Sequence, residues 1–234
     1  MQFANINWIN NQPYSIDFND VYFSTEDGLQ ETEYVFIEHN QLKQRFVQPG
    51  LNYFTIIETG FGTGLNFLAV CAQWLALAPA NAKLHYASIE KYPLKLADLR
   101  RVMQTLPQFH FVSSELISKY SGLEAGLNRF NLTSNRIQLD LWIGDIAMQL
   151  PQINNMADAW LLDGFAPAKN ADMWSGEVFE HIARLSRINT TFATFTSAGA
   201  VRRGLGDVGF KVQKHTGFGK KREMLSGTFL GKLQ

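Results

Sequence analysis

Cysteine is nearly missing from this sequence. Cys71 is the single one among 234 residues, so no disulfide can form within the chain, and a reducing compartment is expected. Long hydrophobic runs are missing too. The most apolar stretch, residues 65–80, is interrupted by Asn66 and Gln73 and falls short of the ~20 residues a membrane span needs. The first 18 residues have no basic region followed by an apolar core, so no secretory signal is expected. Neither sign of charge is in excess, with 21 Lys and Arg against 21 Asp and Glu, which argues against a uniformly basic nucleic-acid binder. The five histidines (His39, His85, His110, His181, His215) show no metal-ligand spacing, and no metal is expected. What is present is apolar: 46% hydrophobic residues, 18 Phe and 5 Trp. That composition excludes a disordered chain. The length suits one substantial domain with an elaboration, soluble and cytoplasmic.

The zero net charge hides a gradient. Residues 201–234 carry eight basic residues (Arg202, Arg203, Lys211, Lys214, Lys220, Lys221, Arg222, Lys232) against Asp207 and Glu223. A basic end of this kind is either a solvated rim or a patch for a polyanion.

Hydrophobic patterning alternates strand and helix. Tyr53–Glu58, Lys83–Glu90, Ile137–Ile143, Ala159–Leu162 and Thr191–Thr196 read as strands. Leu65–Leu77, Pro93–Leu106 and Met173–Ser186 read as helices, with Pro93 near a first turn. Gly209–Lys214 and Met224–Leu230 read as a closing antiparallel pair. Strands separated by helices predict a mostly parallel, doubly wound α/β sheet over residues 51–234. Residues 1–50 read as an N-terminal elaboration packed beside it. Its predicted elements are a hairpin (Val21–Ser24, a turn at Asp27-Gly28, then Thr32–Ile37) and a short helix over Glu38–Phe46.

A glycine loop follows the first core strand: Glu58-Thr59-Gly60-Phe61-Gly62-Thr63-Gly64-Leu65-Asn66. A dinucleotide fingerprint needs G-x-G-x-x-G, and here the third glycine comes one residue early. E-x-G-x-G-x-G after a strand resembles instead motif I of the S-adenosylmethionine (AdoMet) methyltransferases. That resemblance implies that Gly60, Gly62 and Gly64 let the loop wrap the methionine portion, with Glu58 at its ammonium, directly or through water, and that Phe61, Thr63 and Asn66 also bind the cofactor. Three more carboxylates end successive strands, at the edge where such sheets bind ligands. Glu90, followed by Lys91, suits the ribose hydroxyls. Asp145, after Gly144, suits the adenine amino group, with Ile146 or Trp142 against the ring. Asp163 ends the fourth strand.

The segment from Trp160 to Trp174, WLLDGFAPAKNADMW, is more specific. It closely resembles the DGFAPxKNPxMW block of the MnmC/MnmD methyltransferase family, which modifies the wobble uridine of bacterial tRNA, with Ala171 standing where the family usually has Pro. Tyr22-Phe23-Ser24 with Gly28–Thr32, Gly60–Leu68, Thr194–Thr196, Val201–Leu205 and Gly217–Leu225 resemble its other signatures. The resemblance implies a Rossmann-like class I fold. It also implies methyl transfer from AdoMet to the exocyclic amine of 5-aminomethyl(-2-thio)uridine in the tRNA anticodon loop, giving 5-methylaminomethyl(-2-thio)uridine. In the bifunctional members an FAD-dependent oxidase domain first removes a carboxymethyl group. No G-x-G-x-x-G opening such a unit occurs here, and that activity is expected on a separate or fused domain.

An alkylammonium has no lone pair, so the amine must lose a proton before it attacks. Asp163 is the expected base; the alternative is that it only binds cofactor or caps a turn. Phe23, Phe165 and Trp174 are candidates to stack on the base, Lys169 to meet a phosphate, and Arg202, Arg203, Lys220, Lys221 and Arg222 to contact the tRNA backbone. Three other readings stay open: a methyltransferase of small-molecule amines, a silent AdoMet-fold module that binds RNA or protein, and a nicotinamide oxidoreductase.

Overall fold

The computed structural model describes residues 1–23 and 27–231. At its centre is an eight-stranded sheet. The five parallel strands are β4 (Tyr53–Thr59), β5 (Lys83–Glu90), β7 (Ile137–Ile143), β8 (Ala157–Leu162) and β9 (Ser186–Thr194). β6 (Gly126–Leu132) pairs antiparallel with β7 at one edge. The hairpin of β10 (Phe210–Thr216) and β11 (Glu223–Phe229) pairs antiparallel with β9 at the other. The spatial order is β10-β11-β9-β8-β4-β5-β7-β6. From β4 the chain runs outward through β5 to β7, then returns to the far side of β4 as β8 and β9. The direction therefore reverses between β4 and β8, and a crevice opens there beyond the carboxyl ends of the strands.

Alternation along each strand supplies two buried faces. Phe54, Ile56, Leu84, Tyr86, Leu139, Leu141, Ala159 and Leu161 join one core cluster, while Ile57, Ala87, Ile89, Trp160, Leu162 and Phe192 join the other. Helices α3 (Leu65–Leu77), α4 (Leu96–Gln104) and α5 (His110–Tyr120) cover the first face. Helices α6 (Ile146–Gln149), α7 (Gly176–Arg184) and α8 (Gly199–Asp207) cover the second. α3 is apolar on most sides because it lies between the sheet and the N-terminal segment, whose Phe36, Ile37, Leu42 and Phe46 are buried in the same cluster. Phe46 meets Trp74 edge-on at 5.0 Å and Phe54 at 5.2 Å.

The N-terminal segment departs from the predicted hairpin at 21–37; of that prediction, Ser24 lies outside the described residues. Gly28–Thr32 is a helix, α1, because the Asp27 carboxylate accepts from the Gln30 amide at 2.9 Å and caps it. Glu33–Glu38 continues as a π-helical turn. Its β-branched and aromatic residues read as a strand locally, but burial of Val35, Phe36 and Ile37 against the core overrides propensity. The hairpin of this segment lies earlier. β1 (Ile6–Ile9) and β2 (Gln12–Ser15) turn through Asn10-Asn11, both at positive φ, and a two-residue β3 (Asp20–Val21) adds to them. The helix predicted over 38–46 contracts to α2 (Leu42–Phe46).

Other boundaries shift. α4 begins at Leu96, after Pro93, and Met173–Ser186 divides into a 3-10 turn (Ala171–Trp174) and α7, with Ser186 already in β9. α5, β6 and α8 carry weak local signals. Three serines dilute α5, β6 is a polar edge strand, and α8 has three glycines. One of these, Gly204, packs directly on the Phe179 ring, where no Cβ fits.

Candidate functional site

A cavity of about 450 Å³ opens at the carboxyl ends of β4, β5, β7 and β8. Its floor is the point where two strand exits cross. A Cβ on Gly60 would lie 3.0 Å from the Gly164 Cα, so the loop after β4 meets the loop after β8 only as glycine. Thr59 Oγ1 donates to the Asp163 carbonyl at 2.8 Å and locks that crossing. Gly60, Gly62 and Gly64 all have positive φ.

Glu90 ties the glycine loop to β5. Its Oε2 accepts from the Gly62 amide at 2.8 Å and its Oε1 from the Tyr92 amide at 2.9 Å. Burial pushes its carboxyl above the usual range. Asp145 caps α6 by accepting from the Ala147 amide, and Lys91 pairs with it at 2.8 Å and draws its pKa down. Phe61, Thr63, Asn66, Lys91, Gly144 and Ile146 also line the cavity.

Two residues expected at the cofactor lie off the cavity wall. Glu58 is buried beneath the floor, where Oε1 accepts from Asn66 at 3.0 Å and Oε2 from Ser88 at 2.7 Å. Burial, with Asp163 nearby, holds its carboxyl well above the usual range. Gly64 caps α3 under the Phe61 ring.

Asn66 links both acids. Its Nδ2 donates to Glu58 and, at 2.7 Å, to Asp163 Oδ2, while its Oδ1 accepts from the Thr32 hydroxyl at 2.7 Å. The two carboxylates fix which end of the amide faces them, since an ionised carboxylate only accepts, and the Thr32 hydroxyl then donates to the oxygen. Asp163 Oδ1 accepts from the Gly164 amide at 2.8 Å. Burial raises the Asp163 pKa to about 6, with Glu31 adding to the rise and Gly164, Asn66 and Lys221 opposing it.

The remaining walls are aromatic and come from distant segments. Phe165 stacks on Phe18, ring centres 4.4 Å apart, with Tyr22 edge-on at 5.4 Å; Phe23, Phe195 and Phe218 line the rest. Phe23, Phe165, Lys220 and Lys221 therefore lie where substrate would enter. Trp174, Lys169, Arg202, Arg203 and Arg222 are not among the lining residues. The Trp174 indole donates to the Phe165 carbonyl at 3.2 Å and supports that loop from behind. Lys169 is bound to the Asn19 carbonyl at 2.7 Å and to Asp20, so it anchors the same loop to the N-terminal segment. Arg202 and Arg203 lie exposed on α8, and Arg222 is exposed at the end of the β10–β11 turn. Lys232 lies outside the described residues. Phe18 carried no signal in the sequence, while Glu31, Thr32, Phe195 and Phe218 fall in segments that resemble family signatures without having been singled out, because tertiary placement alone brings them to the cavity.

Among the described residues no group of three or more His, Cys, Asp or Glu is placed to hold a metal ion, and no helix is long and apolar enough to cross a membrane.

A doubly wound sheet with a glycine loop and acids at successive strand ends defines a nucleoside-cofactor enzyme. The residues present fit AdoMet. The glycine positions leave the loop backbone open to close approach, and Glu90 and Asp145 supply acceptors at the ends of β5 and β7. The family model described as S-adenosyl-L-methionine-dependent methyltransferase matches residues 107–229, and the chain belongs to that family. It is 49% identical over 226 residues to the tRNA 5-methylaminomethyl-2-thiouridine biosynthesis bifunctional protein MnmC of Methylobacillus flagellatus, covering 97% of this chain and 35% of that protein. The MnmC protein of Chromobacterium violaceum is 50% identical over 225 residues, covering 96% and 34%. The chain thus spans about a third of the length of these curated relatives. The crystal structure of MNMC2 from Aquifex aeolicus shares the fold, with a TM-score of 0.72 at 18% identity over 100% of this chain and 74% of that one.

Proposed function

We propose that this chain methylates the exocyclic amine of 5-aminomethyl(-2-thio)uridine at the wobble position of tRNA. Residues 51–234 form the methyltransferase domain in this reading, and residues 1–50 are an elaboration packed on it. The observation that carries the proposal is Asp163, a carboxylate of raised pKa on the cavity floor, facing aromatic walls and backed by the glycine loop. The near-half identity to the MnmC proteins along almost the whole chain supports the choice of substrate.

The bound cofactor supplies an electrophilic methyl on a sulfonium. Everything else falls to the protein. The glycine loop, Glu90 and Asp145 orient the nucleoside end, while Glu58 acts at one remove, through Asn66. Phe165, whose ring packs on Phe18 and whose carbonyl accepts from the Trp174 indole, lines the cavity and stacks on the extruded base. Asp163 accepts a proton from the acceptor ammonium and then faces the positive charge on the methylated nitrogen. Burial narrows the gap between the two pKa values, raising the carboxylate and lowering the ammonium. Arg202, Arg203, Lys220 and Arg222 supply positive charge for anticodon phosphates, with salt-sensitive affinity, while Lys169 anchors the Phe165 loop. The site of action is the cytoplasm. A separate or fused FAD-dependent oxidase supplies the free amine.

Labelled AdoMet incubated with tRNA from cells lacking the modification tests this directly. Nucleoside mass spectrometry is expected to find label in 5-methylaminomethyl(-2-thio)uridine. Label in a small-molecule amine and none in RNA would replace the tRNA reading.

A further inference from the structure

Across the mouth of the cavity α1 and the turn between β10 and β11 meet through an ion pair. Lys221 sits in the turn between β10 and β11, where its amide donates to the Phe218 carbonyl. Its Nζ donates to Glu31 Oε1 on α1 at 2.6 Å and lies 4.5 Å from the centre of the Phe195 ring. The Glu31 side chain is 13% exposed and that of Lys221 47%, and both line the cavity. A primary ammonium therefore rests on a largely buried carboxylate and over an aromatic face, inside the cavity that holds Asp163. Carboxylate plus ring face is the chemistry that recognises an alkylammonium ligand.

We propose that Glu31 and Phe195 form the seat for the acceptor's primary ammonium, and that Lys221 fills this seat until the substrate displaces it. The inference rests on the proposed function and deepens it by naming the subsite that selects an aminomethylated base. An ion pair with one half-exposed partner is worth little, so exchange of one ammonium for another costs little. Once displaced, Lys221 is free to swing toward the RNA backbone. Asp163 already senses both partners, Glu31 raising its pKa and Lys221 lowering it, which places the seat within electrostatic reach of the base. The proton balance closes. The seated ammonium passes one proton to Asp163 through solvent in the cavity, and the nitrogen lone pair forms the new N–C bond as the C–S electron pair returns to sulfur. The secondary ammonium stays opposite Glu31, and the Asp163 proton leaves to solvent. A uridine without the aminomethyl group has nothing to set against Glu31.

Binding of the free nucleoside 5-aminomethyluridine, which has no phosphate, to the protein saturated with S-adenosylhomocysteine tests the seat by calorimetry. Lys221→Met empties the seat and is expected to tighten binding about tenfold, the worth of an exposed ion pair plus a cation–π contact. Glu31→Gln is expected to weaken it about 30-fold, the worth of a charge-assisted bond. The double variant should bind no better than Glu31→Gln alone, and none of the three should change cofactor affinity more than severalfold. Plain uridine should not discriminate among the proteins. If Glu31→Gln unfolds by circular dichroism, Lys221→Met decides alone: tighter binding supports the seat, and unchanged or weaker binding overturns it. Failure of wild type to bind the nucleoside also overturns it. The broader reading fails separately. If 5-aminomethyluridine binds as described but wild type labels no tRNA, the seat stands and the tRNA substrate falls. If tRNA is labelled but Lys221→Met binds the nucleoside as wild type does, the seat alone falls.

Discussion

Asp140 and Asp163 both belong to the central sheet, one in the middle of β7 and one just past the end of β8, and they are driven in opposite directions. Burial raises the pKa of each. At Asp140 that rise is outweighed by Arg129, bonded to both oxygens at 2.7 and 2.8 Å, and by His85 at 3.0 Å, and the pKa falls to about 2. Among the described residues Asp163 accepts from an amide and an asparagine and from no cation, and its pKa rises to about 6. The same fold thus uses one buried carboxylate to fasten its edge strand and keeps another poised for a proton. What separates them is the partner set.

Their effects on stability have opposite signs. Asp140 has a folded pKa below its unfolded value of 3.8, so its contribution is present above about pH 4 and is lost as pH falls through 2. For Asp163 the folded pKa lies above the unfolded value. Its protonated form favours folding at low pH, and that benefit is lost as pH rises from about 4 through 6.

The comparison breaks most visibly in turnover. Asp163→Asn is expected to cut single-turnover methyl transfer about a thousandfold, the worth of a general base, with the AdoMet dissociation constant within severalfold of wild type. A rate near wild type would reduce Asp163 to a structural acid. Asp140→Asn should do the reverse. Leaving Arg129, which is half-exposed, and the buried His85 without their carboxylate costs about 2 kcal/mol in denaturant unfolding, with the rate per folded molecule unchanged. A third variant sharpens the boundary between fastening and chemistry. Gly60→Ala must hold positive φ and push against the Gly164 backbone, a cost of about 2 kcal/mol in stability. It should weaken AdoMet binding as well, because the loop that moves is the one proposed to hold the cofactor. A melting temperature equal to wild type would show that the crossing of the two loops is not tight.

The half of the cavity built by the strand ends was largely legible in the sequence, because it is built locally. Each strand delivers its own acid, and the glycines follow β4 directly, so Gly60, Gly62, Glu90, Asp145 and Asp163 arrive together at one edge. Glu58 shows where that reading stops. Position in a motif does not say which way a side chain points, and this one turns under the floor to Asn66 and Ser88. The aromatic half was legible only in part. Phe165 and Lys221 stood among the substrate candidates and Glu31 and Phe195 in signature segments, but the four come from distant parts of the chain, and no spacing links them. Lys169 and Trp174 look like substrate contacts in the sequence, yet they brace the Phe165 loop. The N-terminal hairpin was misplaced for a related reason: Tyr34 to Ile37 has strand composition, but its burial on α3 and the sheet dictates a helical turn.

The most direct test of the account is the pH dependence of single-turnover methyl transfer with saturating AdoMet. Wild type should show an acid limb at or below about pH 6, where Asp163 takes up its proton, and Asp163→Asn should lack that limb while remaining slow throughout. The same limb in both proteins would place the base elsewhere and contradict the account.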